Sequence, residues 1–121
     1  MAAPEEGMIV RMDFKGHMHG TVELAAGMDA TEMMAANVLG VDPGDPEAQA
    51  KGLDAFKEVL NTTCGVLLPA LADSSDDVYD VTVPESKSFS DKSGWEEFVG
   101  QERSMILDID GFALAARLVL H

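Results

Sequence analysis

Hydrophobic and polar residues alternate along residues 8–14. Met8, Val10, Met12 and Phe14 fall on one side, and Ile9, Arg11 and Asp13 on the other. A period of two is that of a strand. Residues 21–25 (TVELA) form a second strand candidate, and the stretch between, Lys15-Gly16-His17-Met18-His19-Gly20, is a glycine-flanked turn. The spacing predicts a hairpin over 8–25.

The period then lengthens. Asp29-Ala30-Thr31-Glu32 has the form of an N-cap with a reciprocal glutamate three residues on. It predicts a helix over 30–39, with Gly40 as its stop. Asp42-Pro43-Gly44-Asp45-Pro46 is a turn cluster in which Asp45 suits an N-cap and Pro46 the first helical position. A long helix is expected from there to about Ala72. Pro69 lacks an N–H and crowds the carbonyl of Gly65, which predicts a bend.

Residues 78–83 (VYDVTV) read as a strand ending at Pro84, and 85–93 as a polar stretch without an element. Residues 95–99 predict a helical turn. Residues 103–108 and 112–120 predict a second hairpin through Asp110-Gly111, a strong turn pair. Strands at both chain ends with helices between them predict an α+β fold, a mostly antiparallel sheet with helices packed on one face.

The long helix carries the candidate chemistry. Leu53, Phe56, Leu60, Cys64, Leu67 and Leu71 recur at helical spacing and form its core face. Asp54, Glu58, Asn61 and Gly65 fall within roughly 60° of one another, centred more than roughly 90° away from that face. The period alone makes this stripe a solvated face. It nevertheless places a carboxylate and a carboxamide one turn apart, with a glycine clearing space beside them.

Composition narrows the functions. A chain of 121 residues is one domain's worth, and 46% hydrophobic residues supply a core, with eight Met among few aromatics. A net charge of −14 repels nucleic acid and anionic membrane. No apolar run is long enough to span a bilayer, and the acidic MAAPEEG start lacks a signal-peptide layout. The single cysteine, Cys64, excludes a disulfide framework. The chain reads as a soluble cytoplasmic protein.

Other candidates carry less. His17 and His19 supply two ligands, too few for a metal site. The acidic run 73–80 lacks the glycine and terminal glutamate of a calcium loop and reads as a solvated loop. Cys64, on the core face, reads as a buried, inert thiol. The Met-rich segment 28–34 reads as core or subunit interface.

Asp54-x3-Glu58-x2-Asn61, followed by twenty-two residues and Pro84, resembles the [D/S]-x3-E-x2-N-x22-P signature of the CheC/CheX/FliY phosphatases. Phe14-x-Gly16-x3-Gly20 at the hairpin and Gly65 agree with it. One E-x2-N site resembles the single-site CheX type rather than the two-site CheC type. The chain has little of the N-terminal helix that the family implies. The resemblance covers roughly 8–120 and makes residues 8–121 one CheX-like domain after a disordered tail, 1–7.

The resemblance implies hydrolysis of the phosphoaspartate of a CheY-type response regulator. Asn61 and Glu58 would be the catalytic pair, with Asn61 orienting water. Glu58, Asp54 and Gly65 would face the partner. No cofactor would be bound by this chain itself, because the Mg²⁺ is supplied in the regulator's active site. It also implies a homodimer formed through the sheet. Phosphoryl transfer rests on positioning and charge stabilisation, which an amide that both donates and accepts can supply. A non-catalytic adaptor or a dimerisation domain of the same fold are the competing expectations.

Overall fold

The computed structural model describes residues 3–71, 79–109 and 111–121. Strand β1 (Gly7–Lys15) turns into β2 (His19–Gly27), and the pair runs in continuous antiparallel register from Gly7↔Gly27 to Lys15↔His19. Helix α1 (Met28–Leu39) follows without a loop, and α2 (Pro46–Leu71) after a short turn. Then come β3 (Asp80–Val81), β4 (Glu85–Phe89), α3 (Lys92–Val99), β5 (Ser104–Ile109) and β6 (Phe112–Leu120). Among the described residues the six strands form one antiparallel sheet, ordered β3-β1-β2-β6-β5, with β4 sharing the outer edge of β1.

The alternation in β1, β2 and β6 gives this sheet two apolar faces. Val10, Met12, Phe14, Val22, Leu24 and Leu114 meet Phe56, Leu60, Cys64 and Leu68 of α2. The helices approach each other through small residues. Ala35, Ala36 and Ala48 cluster, and a Cβ on Gly52 would lie 3.0 Å from Oγ1 of Thr31. The expected layer of helices on one face is therefore built by α1 and α2. The short α3 departs from it and packs Trp95 and Phe98 against Ala25, Ala113 and Ala115 on the other face.

Several local expectations are corrected. Asp29 is not an N-cap: α1 starts at Met28 after Gly27, which makes no side-chain cap bond, and Asp29 lies in the first turn. The strand extends two residues further than expected. The Met28 N–H, the first amide of the helix, donates to the Glu6 carbonyl at 3.0 Å, so a backbone carbonyl partners one of the amides that a helix start leaves open. The Thr31 hydroxyl donates instead to the Met28 carbonyl at 2.8 Å. The methionines of 28–34 are half-buried, and the helix's buried residues are Ala30, Thr31, Ala35 and Ala36.

The strand expected over 78–83 is only two residues long among the described positions, pairing Phe14↔Val81 and Lys15↔Asp80. The polar stretch after Pro84 holds a strand, β4, registered from Gly7↔Phe89 to Arg11↔Glu85. Its first four residues are exposed, so no apolar alternation marks it. The helical turn expected at 95–99 is a full α3, because the Asp91 side chain accepts from the Ser93 N–H at 2.9 Å and caps it three residues earlier.

The remaining boundaries follow the pattern. Gly40 closes α1 in the left-handed region at φ 72°. Asp45 accepts from the Glu47 N–H at 2.9 Å ahead of Pro46. Helix α2 runs through Pro69 to Leu71. Gly111, at φ 88°, serves the β5–β6 turn, and its N–H donates to the Asp108 side chain at 2.7 Å. Ala72, Val78, Asp110 and positions 73–78 of the acidic run lie outside the described residues.

Candidate functional site

Helix α2 is clamped to the sheet along one side. Phe56 and Leu60 are completely buried, and Cys64 and Leu68 nearly so. At about 100° per residue this clamp fixes the rotation of every other position. It turns Asp54, Glu58, Asn61 and Gly65 outward, and all four are exposed. The sequence-predicted stripe is thus a continuous surface on a helix roughly 39 Å long, by the 1.5 Å rise per residue.

The stripe is uncommitted within the fold. Among the described residues no side-chain hydrogen bond or ion pair engages Glu58 or Asn61. Asp54 meets Lys51 at 3.9 Å with both side chains largely exposed, a pair that contributes little. A Cβ on Gly65 would find nothing within 4 Å. Glycine inside a helix costs about 0.5–1 kcal/mol relative to alanine, and no neighbour among the described residues requires it here. The space over Gly65 is open toward solvent.

Chemically, the stripe offers an amide donor–acceptor beside a carboxylate. It does not hold a nucleophile. Cys64, the nearest thiol, sits on the core face, and burial pushes its pKa up, which keeps it protonated. Among the described residues no group of three or more His, Cys, Asp or Glu stands where it could hold a metal ion. An amide and a carboxylate can orient and anchor other groups. Pro84 lies apart from the stripe, half-buried at the step from β3 to β4 along β1.

The structure adds a feature beside the stripe. Helices α1 and α2 border an open groove of about 730 Å³ that includes Met34, Val38, Val59 and Val66, with Glu58 at its rim. Val38 and Val66 are 81% and 73% exposed. Sequence reading did not single them out, because the groove exists only once α1 lies against α2. The available signal was that Val66 falls outside the core stripe of its own helix.

Two polar clusters occupy the sheet face away from α1 and α2. Arg117 meets Glu23 at 2.8 Å with both side chains mostly buried. The Thr21 hydroxyl donates to Asp13 at 2.7 Å and lies 3.2 Å from Nε2 of His121. The Thr21 hydrogen bond is the main cause that holds the Asp13 carboxyl below its ordinary range, with Arg11 and His121 adding to it. These are cross-strand ties.

The family of chemotaxis phosphatase CheX matches residues 8–89. No curated protein sequence matches the chain significantly. Solved structures share the fold, two of them similar over nearly the whole chain. One is a chain of the CheX–CheY–BeF3–Mg²⁺ complex from Borrelia burgdorferi, with a TM-score of 0.67 at 16% identity, covering 100% of this chain and 86% of that one. The other is the chemotaxis protein CheX from Desulfovibrio desulfuricans, with a TM-score of 0.66 at 15% identity, covering 95% of this chain and 75% of that one. Among the described residues no helix is long and apolar enough to cross a membrane.

Proposed function

Because the chain belongs to the chemotaxis phosphatase CheX family, we propose that it hydrolyses the phosphoaspartate of a CheY-type response regulator through Asn61. The observation that carries this reading is the rigidly mounted, uncommitted stripe. Glu58 and Asn61 stand one turn apart on a helix anchored by the fully buried Phe56 and Leu60, beside open space over Gly65. One similar solved structure is a complex of CheX with CheY, beryllofluoride and Mg²⁺.

In this reading α2 lies against the regulator's phosphorylation site. The Asn61 amide accepts from and donates to surrounding groups so that one water stands in line behind phosphorus. Water's oxygen bonds to phosphorus, the bond from phosphorus to the aspartyl oxygen breaks, and inorganic phosphate leaves with the aspartate restored. The Mg²⁺ bound in the regulator's own site neutralises charge on the phosphoryl oxygens. Glu58 is repelled by a phosphoryl dianion. It is therefore an anchor to a cation on the regulator, and that contact fixes the depth of Asn61. Asp54 borders the contact, and Gly65 lets the partner's backbone approach. Faster phosphate release from a phosphorylated regulator when this chain is added tests the proposal; unchanged decay for every regulator offered contradicts it.

The sheet edge supports a homodimer. Met105, Ile106, Leu107 and Ile109 of the edge strand β5 are all exposed. An exposed apolar edge is a template for pairing with a second chain. We infer that two copies join there, which leaves both α2 stripes free, in a cytoplasmic protein. Sedimentation checks this: Ile106→Lys should shift a dimer to monomer.

A further inference from the structure

We propose that Lys57 is a second contact to the phosphoryl group, its ammonium meeting a phosphoryl oxygen of the regulator while Asn61 holds the water. The inference rests on the phosphatase reading above and assigns to that site a residue outside the stripe. Helix α2 carries two cationic side chains, Lys51 and Lys57. Lys51 meets Asp54 at 3.9 Å. Among the described residues no side-chain hydrogen bond or ion pair engages Lys57, which is half-buried. Its charge is uncommitted, as the Asn61 amide and the Glu58 carboxylate are.

The helix places Lys57 against Asn61. It stands about one turn below, roughly 6 Å along the axis and about 40° around it, while Glu58 stands about 60° around on the opposite flank. Side chains of a helix lean toward its N-terminus, so the Asn61 amide leans over the turn that carries both charges. A lysine has a flexible four-carbon stem, long enough to raise its ammonium to the level of that amide. The other direction is closed on the Lys57 flank. Phe56, Leu60, Cys64 and Leu68 are buried at four-residue spacing, a ridge that drifts about 40° per step and brings Leu68 to within about 20° of Asn61. An anion beside Asn61 on this flank therefore lies over Lys57. In the phosphatase reading that anion is the phosphoryl group, whose charge spreads over three oxygens in the transition state. A lysine binds phosphate as a point charge. With Glu58 on a regulator cation and Lys57 on the phosphoryl group, the two flanks have opposite sign, and a reversed regulator would set like charges together.

The test is Lys57→Gln titrated with a response regulator in Mg²⁺, with and without beryllofluoride. The change keeps a long polar side chain in the helix, so thermal melting should stay close to wild type. Expected is a Kd for the activated regulator raised about tenfold or more, with little change for the unactivated one. The preference for the activated form then falls by that factor. A preference equal to that of wild type overturns the assignment, whether both affinities fall together or neither changes. A joint fall places the ammonium on a regulator carboxylate that is present before phosphorylation. Loss of kcat in Asn61→Ala, measured in the same series, leaves the phosphatase reading standing in that case. A wild-type chain that neither binds nor dephosphorylates any regulator overturns both.

Discussion

Leu60 is fully buried and its neighbour Asn61 is exposed. The two are about 100° apart on one helix, so the contact that locks Leu60 into the sheet also sets where the Asn61 amide stands. A positioning mechanism needs that coupling, since misplacing a reacting group by about 1 Å can cost on the order of 100-fold. Leu60→Ala should therefore destabilise the fold by about 2–5 kcal/mol and loosen the site. Denaturant unfolding measures the first effect, and a fall in kcat among molecules still folded measures the second.

Gly65→Ala separates folding from function. A Cβ there meets nothing within 4 Å, and replacing a helical glycine gains about 0.5–1 kcal/mol. The melting temperature should rise by about 2–6 °C, while phosphate release falls because the partner's backbone is held away. A variant both more stable and fully active would place the partner elsewhere on the surface.

Glu58→Lys should weaken binding of the activated regulator. Glu58 has no partner of its own among the described residues, so the change leaves the isolated fold intact. A charge-assisted contact contributes about 1.5–3 kcal/mol, or roughly 10–150-fold in Kd. Calorimetric titration reads it directly. Equal affinity for wild type and variant would remove Glu58 from the interface.

Thr21→Val should act through Asp13, with a pH dependence of defined sign. The Thr21 hydroxyl holds the Asp13 carboxyl below its ordinary range in the folded chain. A lowered folded pKa contributes stability that is fully present above the unfolded value and lost as pH falls through the folded one. The stability gap between wild type and variant should thus be present at neutral pH and shrink in acid, below the ordinary carboxylate range. Denaturant midpoints measured from neutral to acid pH follow it. A gap that is constant with pH would show that the hydroxyl does not act on the carboxylate.

Much of this architecture is legible in the chain because burial is one-sided. The α2 stripe, both hairpins and the Asp45-Pro46 start follow from periods and turn residues alone. Where burial gives no contrast, the pattern is silent. Strand β4 is exposed at four of its five positions, and only its pairing with β1 makes it a strand. Asp29 mimics a cap because its sequence context is right, but the Glu6 carbonyl reaches the first helical amide from elsewhere in the chain. The groove at Val38 and Val66 is invisible for the same reason, since it forms between two helices and neither carries its outline. The roles of Glu58 and Asn61 rest on the spaced signature, because a solvated helix face has the same period.

The central claim is that the Asn61 amide orients water. Phosphate release from a phosphorylated regulator by wild type, Asn61→Ala and Asn61→Asp across pH tests it most directly. Both changes sit on an exposed helix position, so fold and binding should survive. The account predicts that both variants lose activity by about two or more orders of magnitude in kcat. The aspartate should not recover at high pH, since it lacks the N–H₂ donor and sets a carboxylate against the phosphoryl group. An active aspartate variant whose rate titrates near a carboxylate pKa would instead make position 61 a general base and contradict the amide mechanism.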